Sequence, residues 1–115
     1  MKVTKARHAA HLPPADALQS AVEVFKALGN AQRLSNIHAL THEELNVTDL
    51  ANALGFTLTV TSQHLSILRR LKLVQGRDDG RLTFYRVIDE VVSHLVHDCL
   101  EHCGAPEPVR KGARR

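Results

Sequence analysis

The sequence predicts one small, mainly α-helical domain that carries a single β-hairpin. Its 115 residues suit one compact domain and no more. Aromatic residues make up only 3% of the chain and Trp is absent, so the core has to be built from Leu, Val, Ala and Ile, which favours helices. Apolar residues recur at three- and four-residue steps in successive segments, and this period changes between Leu73 and Val87 around an Asp-Gly pair.

Four helices are predicted before the hairpin, each with a residue that favours a helix start. These starts are Pro13-Pro14, Asn30, Thr48 and Thr57. The first helix ends at Gly29, the short third helix at Gly55 and the fourth near Leu71. Apolar stripes follow on the first helix (Leu18, Ala21, Val22, Phe25, Leu28), the second (Ala31, Leu34, Ile37, Leu40) and the fourth (Thr61, Leu65, Leu68).

The remaining elements are a hairpin and a last helix. Residues 73–77 and 81–87 are predicted to form two strands joined by a turn at Asp78-Asp79-Gly80, and residues 45–47 a short extended piece. Asp89 opens the last helix, which runs to about Cys103. We expect three parts: a flexible arm (1–12), the folded domain (13–103) and a flexible basic tail (104–115).

Charge is divided between two neighbouring segments. Residues 60–86 carry six Lys and Arg against two Asp, a local charge of +4, whereas residues 89–103 carry four acidic residues and no Lys or Arg. The first segment therefore attracts anions and the second attracts cations. The chain has neither a signal peptide nor an apolar run near the roughly 18 residues of a membrane span, so we expect a cytoplasmic protein without membrane contact.

The predicted order of elements is a short helix, a turn, a second helix and a basic hairpin. This order is typical of a winged helix-turn-helix, whose second helix enters the major groove of double-stranded DNA. Candidate DNA contacts on the fourth helix and the hairpin are Thr57, Leu58, Thr59, Ser62, Gln63, His64, Arg69, Arg70, Arg77 and Arg81. Asp78 and Asp79 oppose phosphate contact at the hairpin tip. His38 and His42 are expected to be helix-surface and loop residues.

Four segments resemble the ArsR/SmtB family of bacterial winged-helix repressors. They are Val24 to Leu34, Glu44 to Ala51, Ser62-Gln63-His64-Leu65 with Leu68-Arg69, and Gly80-Arg81 with Phe84-Tyr85-Arg86. The resemblance covers residues 20–103. It implies a homodimer built on the first and last helices that binds an imperfect palindrome in a promoter. It also implies an inducer, commonly a metal ion, that weakens DNA affinity.

The resemblance excludes one type of sensor site and leaves another open. Where thiolate-sensing members have a Cys-x-Cys pair, this chain has Asn46 and Thr48, which excludes a soft-metal site there. Of the four ligand positions that other members have on the last helix, the chain keeps Asp89 and His102. The resemblance implies that Asp89 of one chain approaches His102 of the other.

The last helix also carries metal-ligating residue types at helical spacing. Glu90, His94, His97 and Glu101 share one face, and Asp98 and His102 lie beside it. Imidazole and carboxylate ligands without sulfur suit nickel, cobalt or zinc ions. The candidate ligands are Asp89, His94, His97, Asp98, Glu101 and His102, with Glu90, His8 and His11 as further members. The alternative is a solvated acidic face.

Two cysteines share the apolar stripe of the last helix with Val92, Leu95 and Val96. Cys99 and Cys103 are expected to pack in the core or in a dimer interface. Catalysis is not expected, because the sequence has no Gly-rich phosphate loop, nucleophile elbow or His-Glu-x-x-His spacing.

The sequence therefore predicts a dimeric, metal-responsive transcriptional repressor that binds a palindromic operator. Two alternatives stay open. One is a DNA-binding regulator without metal sensing, either thiol-responsive or constitutive. The other is a winged-helix module for protein–protein interaction.

Overall fold

The structure, a computed structural model, describes residues 11–104 of the chain. This part of the chain contains five helices and three strands. The helices are α1 (Ala15–Leu28), α2 (Ala31–His42), α3 (Val47–Leu54), α4 (Leu58–Arg70) and α5 (Glu90–His102). The strands are β1 (Leu45–Asn46), β2 (Val74–Asp79) and β3 (Leu82–Val87). This order confirms the predicted winged helix-turn-helix. Most of the predicted arm and tail, residues 1–10 and 105–115, lies outside the described residues.

Side-chain caps confirm most of the predicted helix starts. The side chains of Asn30 and Thr57 each accept a hydrogen bond from the backbone N–H three residues later, at 3.0 and 3.1 Å. Asp89 caps α5 in the same way. Each bond satisfies a backbone donor that the first turn of a helix leaves without a partner. Gly55 ends α3 with a φ of 74°, in the left-handed region that glycine adopts without strain.

The predicted cap of α3 is wrong. Asn46 Oδ1 accepts the backbone N–H of Asp49 at 2.8 Å, so α3 begins at Val47 and Thr48 lies exposed in its first turn. Asn is as effective an N-cap as Thr, and pairing of β1 with β3 holds Asn46 extended just before the helix. Tertiary pairing therefore decided between two residues that are locally equivalent.

The three strands form an antiparallel sheet in the order β1-β3-β2. The predicted turn at Asp78-Asp79-Gly80 is wrong, because Asp79 pairs with Leu82 and the turn consists of Gly80 and Arg81. Gly80 has a φ of 69°, and the Thr83 hydroxyl donates to the Asp78 carboxylate at 2.9 Å. The longer ladder places Arg81 at the tip of the hairpin, hereafter the wing.

The core lies between α2, α3, α4, β2 and α5. Its most buried side chains are Ile37, Leu40, Leu50, Leu65, Leu68, Leu73, Val74, Val92 and Val96. The predicted inward residues of α4, including Thr61, are confirmed. On α2 the prediction for Ala31 is wrong, since Ala31 is exposed, and Asn36 is fully buried instead. The amide of Asn36 has no hydrogen-bond partner among the described residues.

Two predicted apolar stripes are not covered within the chain. Leu18, Val22 and Phe25 of α1 are 38–59% exposed, because only Ala27 and Leu28 at the end of this helix are buried. On α5, Leu95 is 37% exposed. Both cysteines are free and exposed, so the prediction that Cys99 and Cys103 pack in the core is wrong for the core of this chain. No helix among residues 11–104 combines the length and apolarity that a membrane crossing requires.

Candidate nucleic-acid interface and metal centre

Helix α4 presents a polar face opposite its buried stripe. Leu58, Thr59, Ser62 and Gln63 are exposed. Within the described part of the chain the side chains of Ser62 and Gln63 make no hydrogen bond, so their donors and acceptors are available to base edges or phosphates. Thr57 differs, because its hydroxyl oxygen already accepts the Val60 N–H as the helix cap.

His64 ties α4 to α2. Its Nε2 lies 2.7 Å from Gln32 Oε1 and its Nδ1 lies 3.2 Å from Arg33 Nη1. Arg33 Nε in turn donates to the carbonyl of Ala27 at 2.7 Å. An arginine can only donate and an amide oxygen can only accept, so the ring is neutral with its proton on Nε2. Burial and then the Arg33 charge lower the pKa of His64, which favours this neutral form.

The contacts of His64 make it a residue that positions the reading helix. Both of its ring nitrogens are already engaged by α2, so a direct contact with DNA stays a prediction. Sequence reasoning missed Gln32 and Arg33 as its partners. The two sides of this contact are 31 and 32 residues apart, and local spacing carries no signal of it.

The four candidate phosphate-binding arginines fall into different environments. Arg77 Nη2 bonds to Glu44 Oε1 at 2.6 Å, and its guanidinium lies 5.3 Å from the centre of the Phe84 ring. The same hydrogen bond lowers the pKa of Glu44, which keeps this carboxylate ionised. Arg86 also faces Glu44, at 3.8 Å. Glu44 therefore offsets positive charge on one side of the wing, and sequence reasoning missed it.

The other arginines keep their charge uncompensated within the described chain. Arg81 and Arg70 are exposed and have no acidic partner among residues 11–104. The guanidinium of Arg69 lies 5.9 Å from the centre of the Tyr85 ring, a cation–π contact that leaves its charge intact. Arg69, Arg70 and Arg81 therefore carry the positive potential of this face.

Gly76 allows side chains of β3 to pack closely over β2 within the wing. A Cβ at this position would lie 2.9 Å from Thr83 Cγ2 and 3.2 Å from Tyr85 Cε1. Both distances are shorter than ordinary van der Waals contact, and the guanidinium carbon of Arg69 would lie only 3.6 Å away. The absence of a side chain therefore leaves room over β2 for the side chains of Thr83 and Tyr85.

The structure brings three of the predicted metal ligands together. His97, Asp98 and Glu101 each offer a donor atom, and these atoms lie within 4.8 Å of one another on the exposed side of α5. His97 Nε2 lies 3.4 Å from Glu101 Oε2. One imidazole and two carboxylates are a donor set that fits zinc, cobalt or nickel ions.

The remaining predicted ligands are not part of this cluster. Asp89 uses its carboxylate to cap α5. Four others are exposed and contribute no donor atom to the cluster of His97, Asp98 and Glu101: Glu90, His94, His102 and His11. His8 lies outside the described residues.

Two exposed histidines, His38 and His42, lie near the end of α2. The rings of His38 and His42 meet edge to face with their centres 4.9 Å apart. Desolvation is the largest cause that lowers the pKa of His38, followed by the charges of His42 and then of His97. Both residues lie at the surface as predicted, but the predicted loop position of His42 is wrong because it is the last residue of α2.

Comparisons with known proteins agree on one family. Residues 31–75 match the family model described as bacterial regulatory protein, arsR family. The chain is 39% identical over 98 residues to the HTH-type transcriptional regulator KmtR of Mycobacterium tuberculosis, covering 83% of this chain and 75% of that one. It is 44% identical over 73 residues to the cadmium resistance transcriptional regulatory protein CadC of Listeria innocua, covering 63% and 61%.

A solved structure agrees with these sequence matches. The homodimeric winged helix-turn-helix DNA-binding domain from Mycobacterium bovis superimposes with a TM-score of 0.68 and is 32% identical, over 81% of this chain and 93% of that chain. The polar face of α4 and the wing occupy the places expected of a DNA-binding surface in this fold. The chain therefore belongs to the ArsR family of winged helix-turn-helix, DNA-binding transcriptional regulators.

Proposed function

We propose that this protein is a homodimeric repressor that binds a palindromic promoter operator and whose DNA affinity changes when a divalent metal ion binds at α5. The observation that carries the proposal is that residues suited to DNA and residues suited to a metal ion lie in different parts of one chain. The polar face of α4 and the uncompensated arginines suit DNA, and the cluster of His97, Asp98 and Glu101 suits a cation.

DNA recognition is assigned to α4 and the wing. Ser62 and Gln63 would contact base edges, with Thr57, Leu58, Thr59 and His64 at the borders of the same face. Arg69, Arg70 and Arg81 would contact phosphates, because they keep their charge uncompensated. Arg77 contributes less, since Glu44 holds it.

A homodimer would place two such faces on one operator. The related domain from Mycobacterium bovis is homodimeric. In this chain the exposed apolar residues of α1 and α5 lie next to each other, and Phe25, Leu95 and Cys99 line an open apolar hollow of about 200 Å³. A second copy would cover this surface, and its two-fold symmetry would be matched by a palindromic site.

The cation would be zinc, cobalt or nickel, held by His97, Asp98 and Glu101. The relative from Listeria innocua carries cadmium resistance in its name. A bound ion would neutralise the acidic side of α5 and hold its side chains in one geometry. Because α5 also carries part of the apolar face, the ion would act on the arrangement of the two protomers. Coupling of this kind changes affinity by about 5- to 150-fold.

The experiment measures operator affinity with and without metal. Fluorescence anisotropy of the full-length protein on promoter DNA, with zinc, cobalt and nickel ions added in turn, is expected to show a 5- to 150-fold change in Kd for at least one ion. His97→Ala should abolish the change, whereas His94→Ala, on the same helix outside the cluster, should keep it.

Three other outcomes would contradict parts of the proposal. An unchanged Kd at saturating metal removes the sensor function and leaves a constitutive or thiol-responsive regulator, which Cys99→Ser separates. A monomer that binds the operator at full affinity removes the dimer. Binding that does not weaken between about 50 and 200 mM salt favours the protein–protein module instead.

A further inference from the structure

Three helices meet at an open cavity next to the reading helix. The cavity has a volume of about 210 Å³ and lies where the end of α1, the first turn of α2 and the end of α4 come together. Its charged lining residues are three cations and one acid: Lys26, Arg33, Arg70 and Glu23. Three positive charges against one negative charge leave +2, so the cavity attracts anions.

The two arginines of this cavity keep hydrogen-bond donors free for a ligand. Arg33 Nε donates to the carbonyl of Ala27 at 2.7 Å, and Arg33 Nη1 lies 3.2 Å from His64 Nδ1. These bonds hold the half-buried guanidinium in place, but they use only part of its N–H groups. Arg70 is exposed and has no acidic partner among residues 11–104. Guanidinium groups with free N–H donors suit the oxygens of a phosphate group.

The acidic side chain of the cavity offsets little of this charge. Glu23 and Lys26 are one turn apart on α1, and Glu23 Oε2 lies 4.0 Å from Lys26 Nζ. The side chain of Lys26 is 70% exposed, so water screens this pair. The same Glu23 oxygen also accepts a hydrogen bond from Gln19 Nε2 at 3.0 Å. The Lys26 ammonium is therefore available to an anion in the cavity.

The cavity continues the polar face of α4. Gln63, Ile67 and Arg70 follow one another at helical spacing on one side of this helix, and the last two line the cavity. Seven residues of α-helix span about 10 Å, which is comparable with the roughly 12 Å width of the major groove. When Gln63 lies against base edges, Arg70 therefore reaches the strand that borders the groove. Arg33 lies at the same border, because it contacts His64.

We infer that Lys26, Arg33 and Arg70 together bind one phosphate group of the DNA backbone at the edge of the groove that α4 reads. The inference rests on the proposed operator binding and deepens it, because it extends the DNA interface from α4 and the wing to α1 and α2. The ligand is a phosphodiester, since DNA is the polyanion that the adjoining face of α4 suits. A free phosphate has the same chemistry, and the experiment separates the two sources.

The first measurement compares two exposed lysines. Lys26→Gln removes a charge from the cavity, and the matched control Lys72→Gln removes the same charge outside it. Fluorescence anisotropy gives the operator Kd of the full-length protein between about 50 and 200 mM salt. Lys26→Gln should weaken binding about fivefold or more and reduce the slope of log affinity against log salt by about 1 for each protomer. Lys72→Gln should stay within about twofold.

A variant of opposite sign guards against a merely structural role of Lys26. Glu23→Gln removes the acidic side chain that lines the cavity in the described part of the chain, so operator binding should become about two- to fivefold tighter. Equal effects of the two lysine variants, or weaker binding of Glu23→Gln, overturn the inference.

A scan of the DNA backbone locates the contact. Uncharged methylphosphonate replaces the phosphates of one half-site one at a time, and each DNA is measured with the unchanged protein and with Lys26→Gln. At one phosphate the loss of affinity should be about threefold smaller for the variant, which has already lost that contact. Equal losses at every phosphate overturn the inference. If inorganic phosphate alone then shifts the NMR signals of Lys26 and Arg33 saturably, the cavity binds a free phosphate instead.

Failure of the inference is distinguishable from failure of the proposed function. Operator binding with equal salt slopes for the two lysine variants leaves the repressor in place and overturns the phosphate site alone. Coupling at one phosphate without any response to metal supports the phosphate site and contradicts the proposed metal response. A protein that binds no DNA overturns both.

Discussion

Helices α4 and α1 have the same apolar spacing, but only α4 buries its apolar side within the chain. Leu65 and Leu68 of α4 are 2% and 0% exposed, whereas Leu18 and Phe25 of α1 are more than half exposed. The comparison teaches that periodicity identifies the apolar side of a helix but not the surface that covers it. In α4 that surface is the core of the same chain, and in α1 we propose that it is a second copy.

The largest effect is expected from a substitution in the buried apolar stripe of α4. Leu68→Ala should lower the free energy of unfolding by about 2–5 kcal/mol, because it removes a fully buried side chain and leaves a cavity. Urea unfolding followed by circular dichroism measures it. The control is Leu82→Ala at the exposed wing, which should change stability by about 0.5 kcal/mol or less. Equal losses in the two variants would mean that Leu68 does not lie in the core.

A substitution in the exposed apolar stripe of α1 should weaken formation of the dimer. Phe25→Ser removes apolar area from both copies of a symmetric interface, at a cost of about 1–2 kcal/mol for each copy. The dimer Kd should therefore rise by about 30- to 1000-fold, which sedimentation equilibrium measures. An unchanged Kd, with the helical content also unchanged, would show that α1 lies outside the interface.

The wing allows a second comparison, between two arginines of equal charge. Arg81→Ala should weaken binding to all DNA sequences alike and reduce the slope of log affinity against log salt by about 1 for each wing that contacts a phosphate. Arg77→Ala should have less effect, because Glu44 already holds that guanidinium. Salt titrations of operator and unrelated DNA test both variants, and a larger effect at Arg77 would reverse this assignment.

The smallest effect is expected from pH. Burial and Arg33 lower the pKa of His64 below its ordinary value of 6.5. Above 6.5 the ring is neutral in both states, and as the pH falls below 6.5 the unfolded chain binds the proton first, which lowers the free energy of unfolding. His64→Gln should therefore lose less stability between pH 7 and pH 5 than the unchanged protein. Urea unfolding at both pH values measures the difference, and an equal loss would mean that His64 titrates normally.

Local chemistry predicted most of the fold. Thr57, Asn30 and Asp89 cap helices as predicted because a cap depends on residues within one turn. The failures occurred where distant residues decide. Pairing of β1 with β3 selected Asn46 over Thr48, and the ladder between β2 and β3 moved the turn to Gly80 and Arg81.

The candidate sites divide in the same way. Helical spacing was enough to predict that His97 and Glu101 lie near each other, because they are one turn apart. The partners of Arg77 and His64 are 33 and 32 residues away in sequence, so no local pattern identifies them.

The junction between α4 and the wing has a consequence for how such a regulator can respond to any signal. Because the Leu73 N–H donates to the carbonyl of Leu68 at 3.0 Å, and Val74 at the start of β2 is only 2% exposed, the base of the wing is anchored to the end of α4. Each protomer then presents its groove-binding parts as one rigid head. What remains adjustable is the distance between the two heads across the dyad of the pair, so the operator is read through half-site separation more than through the fit of each half-site.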